Sequence, residues 1–268
     1  MSIFKLRRKE DKVIKKVQKS EEKYIKKTRI NILGSKTAFS TLEAYRSART
    51  NIMFSLPDEE NCKSIVITSA MPGDGKTTSC INLALTFAQS GRKVLVVDAD
   101  IRCPRVHLYL HDQNEKGLSN YLVGLAEIDE IIKNKEGIDF ITAGHIPQNP
   151  AELLSSKKME VLVKELSNNY DYVFYDTPPL AFVSDAVTFL KNISGVILIA
   201  RQKYTVHHAI EAAISALNFA NAKVLGFILN DADFEEMNYK KRRYGRGKYK
   251  YGYYNNYDYY RSYTGSKR

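Results

Sequence analysis

The run Ser64-Ile65-Val66-Ile67-Thr68-Ser69-Ala70-Met71-Pro72-Gly73-Asp74-Gly75-Lys76-Thr77-Thr78 leaves a chain few ways to fold. A short β-branched segment leads into a loop of small residues, and Lys76-Thr77-Thr78 opens a helix. That is the strand–loop–helix context of a phosphate-binding loop, in which backbone N–H groups and a helix N-terminus converge on an anion. Gly73, Asp74, Gly75, Lys76, Thr77 and Thr78 are the candidate nucleotide-binding residues. Lys76 would reach the β- and γ-phosphates of ATP from the surface of the loop, outside the core, and the Thr77 hydroxyl would hold Mg²⁺. Ala70 stands where the first glycine is usual. The helix reads cleanly, with Ile81, Ala84, Leu85 and Ala88 on one face and Gly91 as a stop. The plain alternative, a glycine turn ahead of a core helix, would not require strand, loop and helix in this order.

Two further stations are acidic. Lys93-Val94-Leu95-Val96-Val97 is a buried-strand run ending in Asp98-Ala99-Asp100-Ile101-Arg102, and Tyr172-Val173-Phe174-Tyr175 ends in Asp176-Thr177-Pro178-Pro179. Parallel strands read as continuous apolar runs, and ligands gather at their carboxyl ends. Asp98, Asp100 and Asp176 are therefore expected at the same sheet edge as the loop, where carboxylates suit Mg²⁺ coordination or orientation of an attacking hydroxyl. Residues 117–132 and 151–166 read as helices, with Ile138–Thr142 a strand between them. Residues 195–200 and 224–229 read as strands joined by a helix over 205–218. The expectation is an α/β fold, a mainly parallel sheet sandwiched by helices.

Charge divides the chain. Of the net +11, residues 1–29 carry +8 and residues 231–268 carry +5, leaving −2 for the body. A near-neutral body argues against nucleic-acid binding by the domain face, and the basic ends suit acidic partners or anionic lipid. The expected division is a basic N-terminal arm over 1–35, a phosphate-loop domain over 36–233 and a tyrosine-rich tail over 234–268. No apolar run approaches the ~18 residues a membrane span needs, the opening has no signal-peptide pattern, and Cys62, Cys80 and Cys103 read as reduced thiols. Ser40-Thr41-Leu42-Glu43 has capping-box spacing, predicting a helix from there to Pro57 with Leu42, Tyr45, Ile52 and Leu56 as its apolar stripe. Glu43, Arg46 and Arg49 follow at i, i+3, i+6; on spacing alone they are a solvated face with an i,i+3 ion pair. In the tail, ten tyrosines from Tyr239 to Tyr263 alternate with Lys, Arg, Gly and Asn, a low-complexity composition read as disordered. Taken alone it could stack on single-stranded nucleic acid.

With these stations placed, the chain resembles the bacterial tyrosine kinases of capsular and exopolysaccharide synthesis, in the form without membrane spans. The match rests on Ala70–Thr77, Asp98–Arg102, Asp176–Pro179, Asn149–Leu154, the Glu43/Arg46/Arg49 spacing and the tail. The resemblance implies a P-loop NTPase fold and transfer of the γ-phosphoryl of ATP, with Mg²⁺, to tyrosine. It makes Lys76, Asp98, Asp100 and Arg102 catalytic and gives Thr77, Asp98, Asp100 and Asp176 to the metal. Whether Asp98 or Asp100 takes the tyrosine proton stays open, with Asp98 preferred. Asn230, ending the last strand, either reads adenine or is a turn residue. Glu43, Arg46 and Arg49 become contacts between subunits of a ring. Tyr249, Tyr251, Tyr253, Tyr254, Tyr257, Tyr259, Tyr260 and Tyr263 become phosphoacceptors. Implied partners are the cytoplasmic tail of a membrane adaptor that regulates chain length, a tyrosine phosphatase and protein substrates in sugar metabolism. The implied location is cytoplasmic, at the inner face of the cell membrane. The rival is a partitioning or placement ATPase switching between DNA- or membrane-bound states. Such ATPases carry a signature lysine where this chain has Met71, and they lack a tyrosine cluster.

Overall fold

The computed structural model describes residues 32–56, 62–180 and 193–233. The chain divides into two units, Met1–Asp231 and Ala232–Arg268; of the second only Ala232 and Asp233 are described, so the basic arm up to residue 31 and the tail tyrosines lie outside the described residues.

Seven strands form one sheet in the order β3-β4-β2-β5-β1-β6-β7. They are β1 (Lys63–Ser69), β2 (Val94–Asp98), β3 (Ile132–Lys135), β4 (Ile138–Ile141), β5 (Tyr172–Asp176), β6 (Gly195–Arg201) and β7 (Val224–Asn230). Every pairing is parallel except β3 with β4. The expected sheet is thus present, with one antiparallel hairpin added at its edge. That hairpin turns through Glu136 and Gly137, both at positive φ, 53° and 82°, which is the two-residue turn whose twist matches paired strands. β3 reads Ile-Lys-Asn-Lys, too polar to stand out as a strand.

Alternate residues of the central strands point to opposite faces. Ile65, Ile67, Val96 and Phe174 pack on one face against Ile81, Ala84 and Phe87 of α2 (Lys76–Ala88) and Ile52 of α1 (Phe39–Ser55). Phe87 lies 4.3 Å from the Tyr172 ring and 5.4 Å from that of Phe174. Val66, Leu95, Val97 and Tyr175 face the other side, which also buries α4 (Leu118–Leu122), α7 (Lys157–Asn169) and α8 (His207–Phe219). The shorter helices α3 (Val106–Tyr109), α5 (Ile128–Ile131) and α6 (Pro150–Leu154) complete the connections.

Three local expectations change. α1 begins at Phe39 with Ala38 as N-cap and no side-chain cap, so Ser40 lies inside its first turn rather than capping it. The helix ends with extended Leu56, ψ 142°, as the residue before a proline must be. The helix expected over 117–132 is two helices separated by Gly124 at φ 83°. The one expected over 151–166 is also two, because Ser156 caps α7 by accepting from Met159 N. Leu33 is buried, and its N–H donates to Asn82 Oδ1 of α2 at 2.9 Å. Among the described residues no helix is long and apolar enough to cross a membrane.

Candidate active site

The carboxyl ends of β1, β2 and β5 lie side by side, with Ile67 level with Asp176 and Asp98 level with Asp176. β1 runs into the loop Ala70–Gly75, and α2 leaves it at Lys76. Gly73 and Gly75 hold φ of 87° and 94°, and a Cβ on Gly75 would collide with the Asn230 side chain. Only glycine fits there.

Lys76, Asp98 and Asp100 converge, and Arg102 is exposed on the segment after β2. Lys76 Nζ donates to Asp100 Oδ2 at 2.9 Å and lies 4.0 Å from Asp176 Oδ1. Thr77 Oγ1 donates to Asp176 Oδ2 at 2.6 Å. Asp98 Oδ2 accepts from the backbone N–H groups of Arg105 and Val106 at 3.0 and 2.9 Å, the latter opening α3. Lys76, Asp98, Asp100 and Asp176 are all buried, so Lys76 belongs to the interior of the site and not to the loop surface as expected. In this geometry the lysine pairs with two carboxylates.

Three buried carboxylates share one ammonium, and the proton affinities of Asp98, Asp176 and Lys76 register the imbalance. Burial pushes Asp98 well above the ordinary carboxylate range, Asp176 adds to this, and the Val106 and Arg105 N–H groups oppose it. Burial likewise pushes Asp176 up to about 6, against the pull of Lys76 and the Thr77 hydroxyl. Burial alone would weaken the Lys76 ammonium; Asp176, Asp100 and Asp98 reverse that and hold its proton more tightly than usual. Asp98 Oδ1 and Asp176 Oδ1 are buried and make no hydrogen bond among the described residues. Unpartnered carboxylate oxygens in an anionic pocket fit a hard divalent cation. Among the described residues no three His, Cys, Asp or Glu side chains converge as a ready-made metal cage.

The other flank of the loop is neutralised by hydrogen bonds, and reading the sequence missed it. Asp74 is fully buried, its Oδ2 accepting from Met71 N at 2.8 Å and its Oδ1 from Thr205 Oγ1 at 2.6 Å. Its side chain therefore holds the loop. Thr205 Oγ1 in turn accepts from Arg201 N, and Tyr204 donates its hydroxyl to Pro72 O at 2.9 Å. Asn230 Nδ2 donates to Asp74 O at 2.9 Å, so the residue read as adenine-facing or a turn spends its amide N–H on the loop. A signal was available: Tyr204-Thr205 follows a buried strand at the carboxyl edge, where site loops cluster. Thr78 Oγ1 meets Tyr109 OH at 3.0 Å, tying the start of α2 to α3.

The Glu43, Arg46 and Arg49 trio is divided. Glu43 pairs with Arg46 at 2.7 Å on an exposed face, whereas Arg49 donates to Thr86 O of α2 at 2.7 Å. Cys62 and Cys80 are buried and Cys103 is exposed, and among the described residues none of them forms a disulfide.

Comparison with known proteins meets this geometry. Residues 62–224 match the family described as AAA domain. Tyrosine-protein kinase YwqD of Bacillus subtilis is 42% identical over 190 residues, covering 70% of this chain and 80% of the relative. The putative tyrosine-protein kinase CapB of Staphylococcus aureus is 36% identical, covering 70% and 83%. Among solved structures, the kinase domain of the Escherichia coli tyrosine kinase ETK superposes with a TM-score of 0.68 at 34% identity, covering 79% of this chain and 80% of that one. On this identity and coverage the chain belongs to the bacterial tyrosine-protein kinases of capsule and exopolysaccharide synthesis, P-loop enzymes whose phosphoryl donor is ATP and whose metal is Mg²⁺.

Proposed function

We infer that this kinase phosphorylates the tyrosine cluster of its own C-terminal segment and, through the phosphorylation state of that cluster, regulates capsular or exopolysaccharide synthesis and chain length. The observation that carries the reading is the buried set Lys76, Thr77, Asp98, Asp100 and Asp176 at the open edge of the sheet. When ATP enters, Lys76 is the group to move its charge from Asp100 to the phosphates, and the N-terminus of α2 adds its amide dipoles there. Thr77, Asp98, Asp100 and Asp176 would hold Mg²⁺, which when bound would supply charge neutralisation for the transferred group.

Asp98 is the residue we assign as base. Its Oδ2 is held by two backbone N–H groups, so Oδ1 remains to accept the phenolic proton of an incoming tyrosine. A free phenol has a pKa of ~10, and a carboxylate whose proton affinity is raised by burial narrows that gap. Arg102, exposed beside the pocket, is assigned to steady transferred charge. Asn230 is assigned to the adenine side through its remaining carbonyl oxygen.

Family membership implies a membrane-protein partner and oligomeric behaviour. In finer terms, we assign the cytoplasmic tail of a chain-length-regulating membrane adaptor as activator and the inner face of the cell membrane as the working location. Glu43, Arg46 and Arg49 are assigned to a ring contact between copies. A cognate tyrosine phosphatase and sugar-metabolism enzymes would be further partners. The acceptors are Tyr249, Tyr251, Tyr253, Tyr254, Tyr257, Tyr259, Tyr260 and Tyr263. Each phosphate adds about −1.5 to −2 charges, so three or four reverse the +5 of residues 231–268. An anionic tail is then repelled from the carboxylates and nucleotide of a neighbouring copy. The division into arm 1–35, domain 36–233 and tail 234–268 is part of this proposal. The test is mass spectrometry of the purified chain after incubation with ATP and Mg²⁺, with Lys76→Met in parallel. Phosphate on the tail tyrosines of wild type alone is expected; an unmodified wild-type tail, with adaptor peptide added, overturns the reading.

A further inference from the structure

One exposed tyrosine of the domain touches the phosphate loop. Tyr204 is 45% exposed, yet its hydroxyl donates to Pro72 O, a carbonyl of the loop itself, at 2.9 Å. Its hydroxyl oxygen also lies 3.3 Å from where a Cβ on Gly73 would stand, so the ring borders the loop at its left-handed turn. The Arg201 guanidinium sits 5.5 Å from the Tyr204 ring centroid while paired to Asp231 Oδ2 at 2.8 Å. Tyr204 follows Lys203, exposed at φ 61°, and precedes exposed Val206, so it stands on a projecting turn between β6 and α8. Exposed turns of this kind are what a modifying enzyme reaches.

We propose that Tyr204 is a phosphoacceptor of this kinase in its own right, and that its modification by a second copy releases the phosphate loop and lowers nucleotide affinity. The inference rests on the tyrosine-kinase reading of the same site. In the step, the Oη–P bond of Tyr204 forms as the γ-phosphorus parts from the β,γ-bridging oxygen, whose electron pair leaves with ADP. The phenolic proton passes to the donor copy's carboxylate. The consequence follows from donors and acceptors alone. The hydroxyl is a donor to Pro72 O; a phosphate ester brings acceptor oxygens and about two negative charges to the same place. It repels both that carbonyl and the phosphates of a bound nucleotide. Arg201 is the nearby cation able to leave Asp231 and take the phosphate in a charge-assisted pair. Two hydrogen-bonded arrangements of one loop result, selected by a single covalent change.

The experiment uses the full-length chain. Lys76→Met serves as acceptor and wild type, with ATP and Mg²⁺, as donor; both are digested after Lys203 and Lys223, which yields a peptide with Tyr204 as its one tyrosine. Phosphate localised to Tyr204 in the Lys76→Met copy is expected. Tail peptides that are phosphorylated while Tyr204 stays unmodified overturn the inference and leave the kinase reading standing; absence of phosphate from both overturns both. The second readout is nucleotide affinity of wild type resolved by Tyr204 occupancy. Binding weaker by about tenfold or more in the modified fraction is expected, against about two- to tenfold for Tyr204→Phe, which loses the hydrogen bond without gaining charge. Equal affinity in modified and unmodified fractions also overturns the proposed release.

Discussion

The two flanks of the phosphate loop are built on opposite principles. On one, Lys76, Asp98, Asp100 and Asp176 crowd buried charge that hydrogen bonding leaves incompletely satisfied. On the other, Asp74 has its two carboxylate oxygens matched to Met71 N and Thr205 Oγ1, and its carbonyl to Asn230. Each flank buries a carboxylate beside the same loop, yet one is left poised to accept a cation or proton and the other is closed. The closed flank fixes the loop so that the open flank can do chemistry without the backbone collapsing onto its own carboxylates. Preorganisation of this kind lets electrostatic groups act without rearranging at the moment of reaction.

Replacing Lys76 should separate the flanks most strongly. Lys76→Met is expected to lower autophosphorylation by at least about 10²–10³-fold, assayed as phosphotyrosine formed per minute. It should also lower the Tm of the nucleotide-free protein, because a buried ammonium is removed from two carboxylates. Wild-type labelling would end the assignment of the open flank.

Asp98→Asn comes next. It is expected to cut phosphoryl transfer by about 10²–10⁴-fold while raising nucleotide-free stability by about 1 kcal/mol, a few degrees of Tm, since one of three crowded anions is gone. A fall in ATP–Mg²⁺ affinity large enough to account for the whole loss of rate would strip Asp98 of the base role and leave it a metal residue alone. On the closed flank, Thr205→Val should do the reverse. It leaves Asp74 short of a donor, costs about 1–3 kcal/mol of stability, and weakens nucleotide binding with a smaller effect on the bound-state rate.

A pH series sharpens the contrast further. Asp176 binds its proton with a pKa raised to about 6 in the folded chain, above the ordinary value of ~3.9. Between those values the folded state holds more protons than the unfolded one, so this group's contribution to nucleotide-free stability falls as pH rises through about 6. Mg²⁺ needs the carboxylate, so ATP–Mg²⁺ affinity by calorimetry should rise over the same interval. Affinity that stays flat from pH 5 to 7.5 would count against the raised proton affinity. The smallest effect belongs to Arg46→Ala. Its exposed pair with Glu43 is worth at most about 1 kcal/mol, so loss of oligomers by light scattering with an unchanged Tm would mark a contact between copies.

How much of this was legible follows from what each signal depends on. β1, β2 and β5 announce themselves as apolar runs ending in loop or carboxylate, because a strand buried on both faces needs no partner to be recognised. The positions of Lys76, Asp98, Asp100 and Asp176 at one edge follow from parallel topology. Their mutual pairing does not, since the Lys76–Asp100 bond depends on where the segment after β2 turns. Ser40 misled because its capping spacing is local, whereas Leu33 and α1 are set by packing on α2. β3 escaped because its polar face is tolerated only where β4 pairs with it. Thr205 and Tyr204 lie more than a hundred residues from the loop they hold, and no periodicity links them to Asp74.

Arg49 gives α1 a mechanical role. Its guanidinium grips the carbonyl of Thr86 near the far end of α2, and α2 opens with Lys76. At 1.5 Å per residue, the 13 residues of α2 form a strut about 20 Å long. One end of that strut is held to α1 by the Arg49 bond and the other end carries Lys76, so α1 and the phosphate loop share a single helix as their mounting.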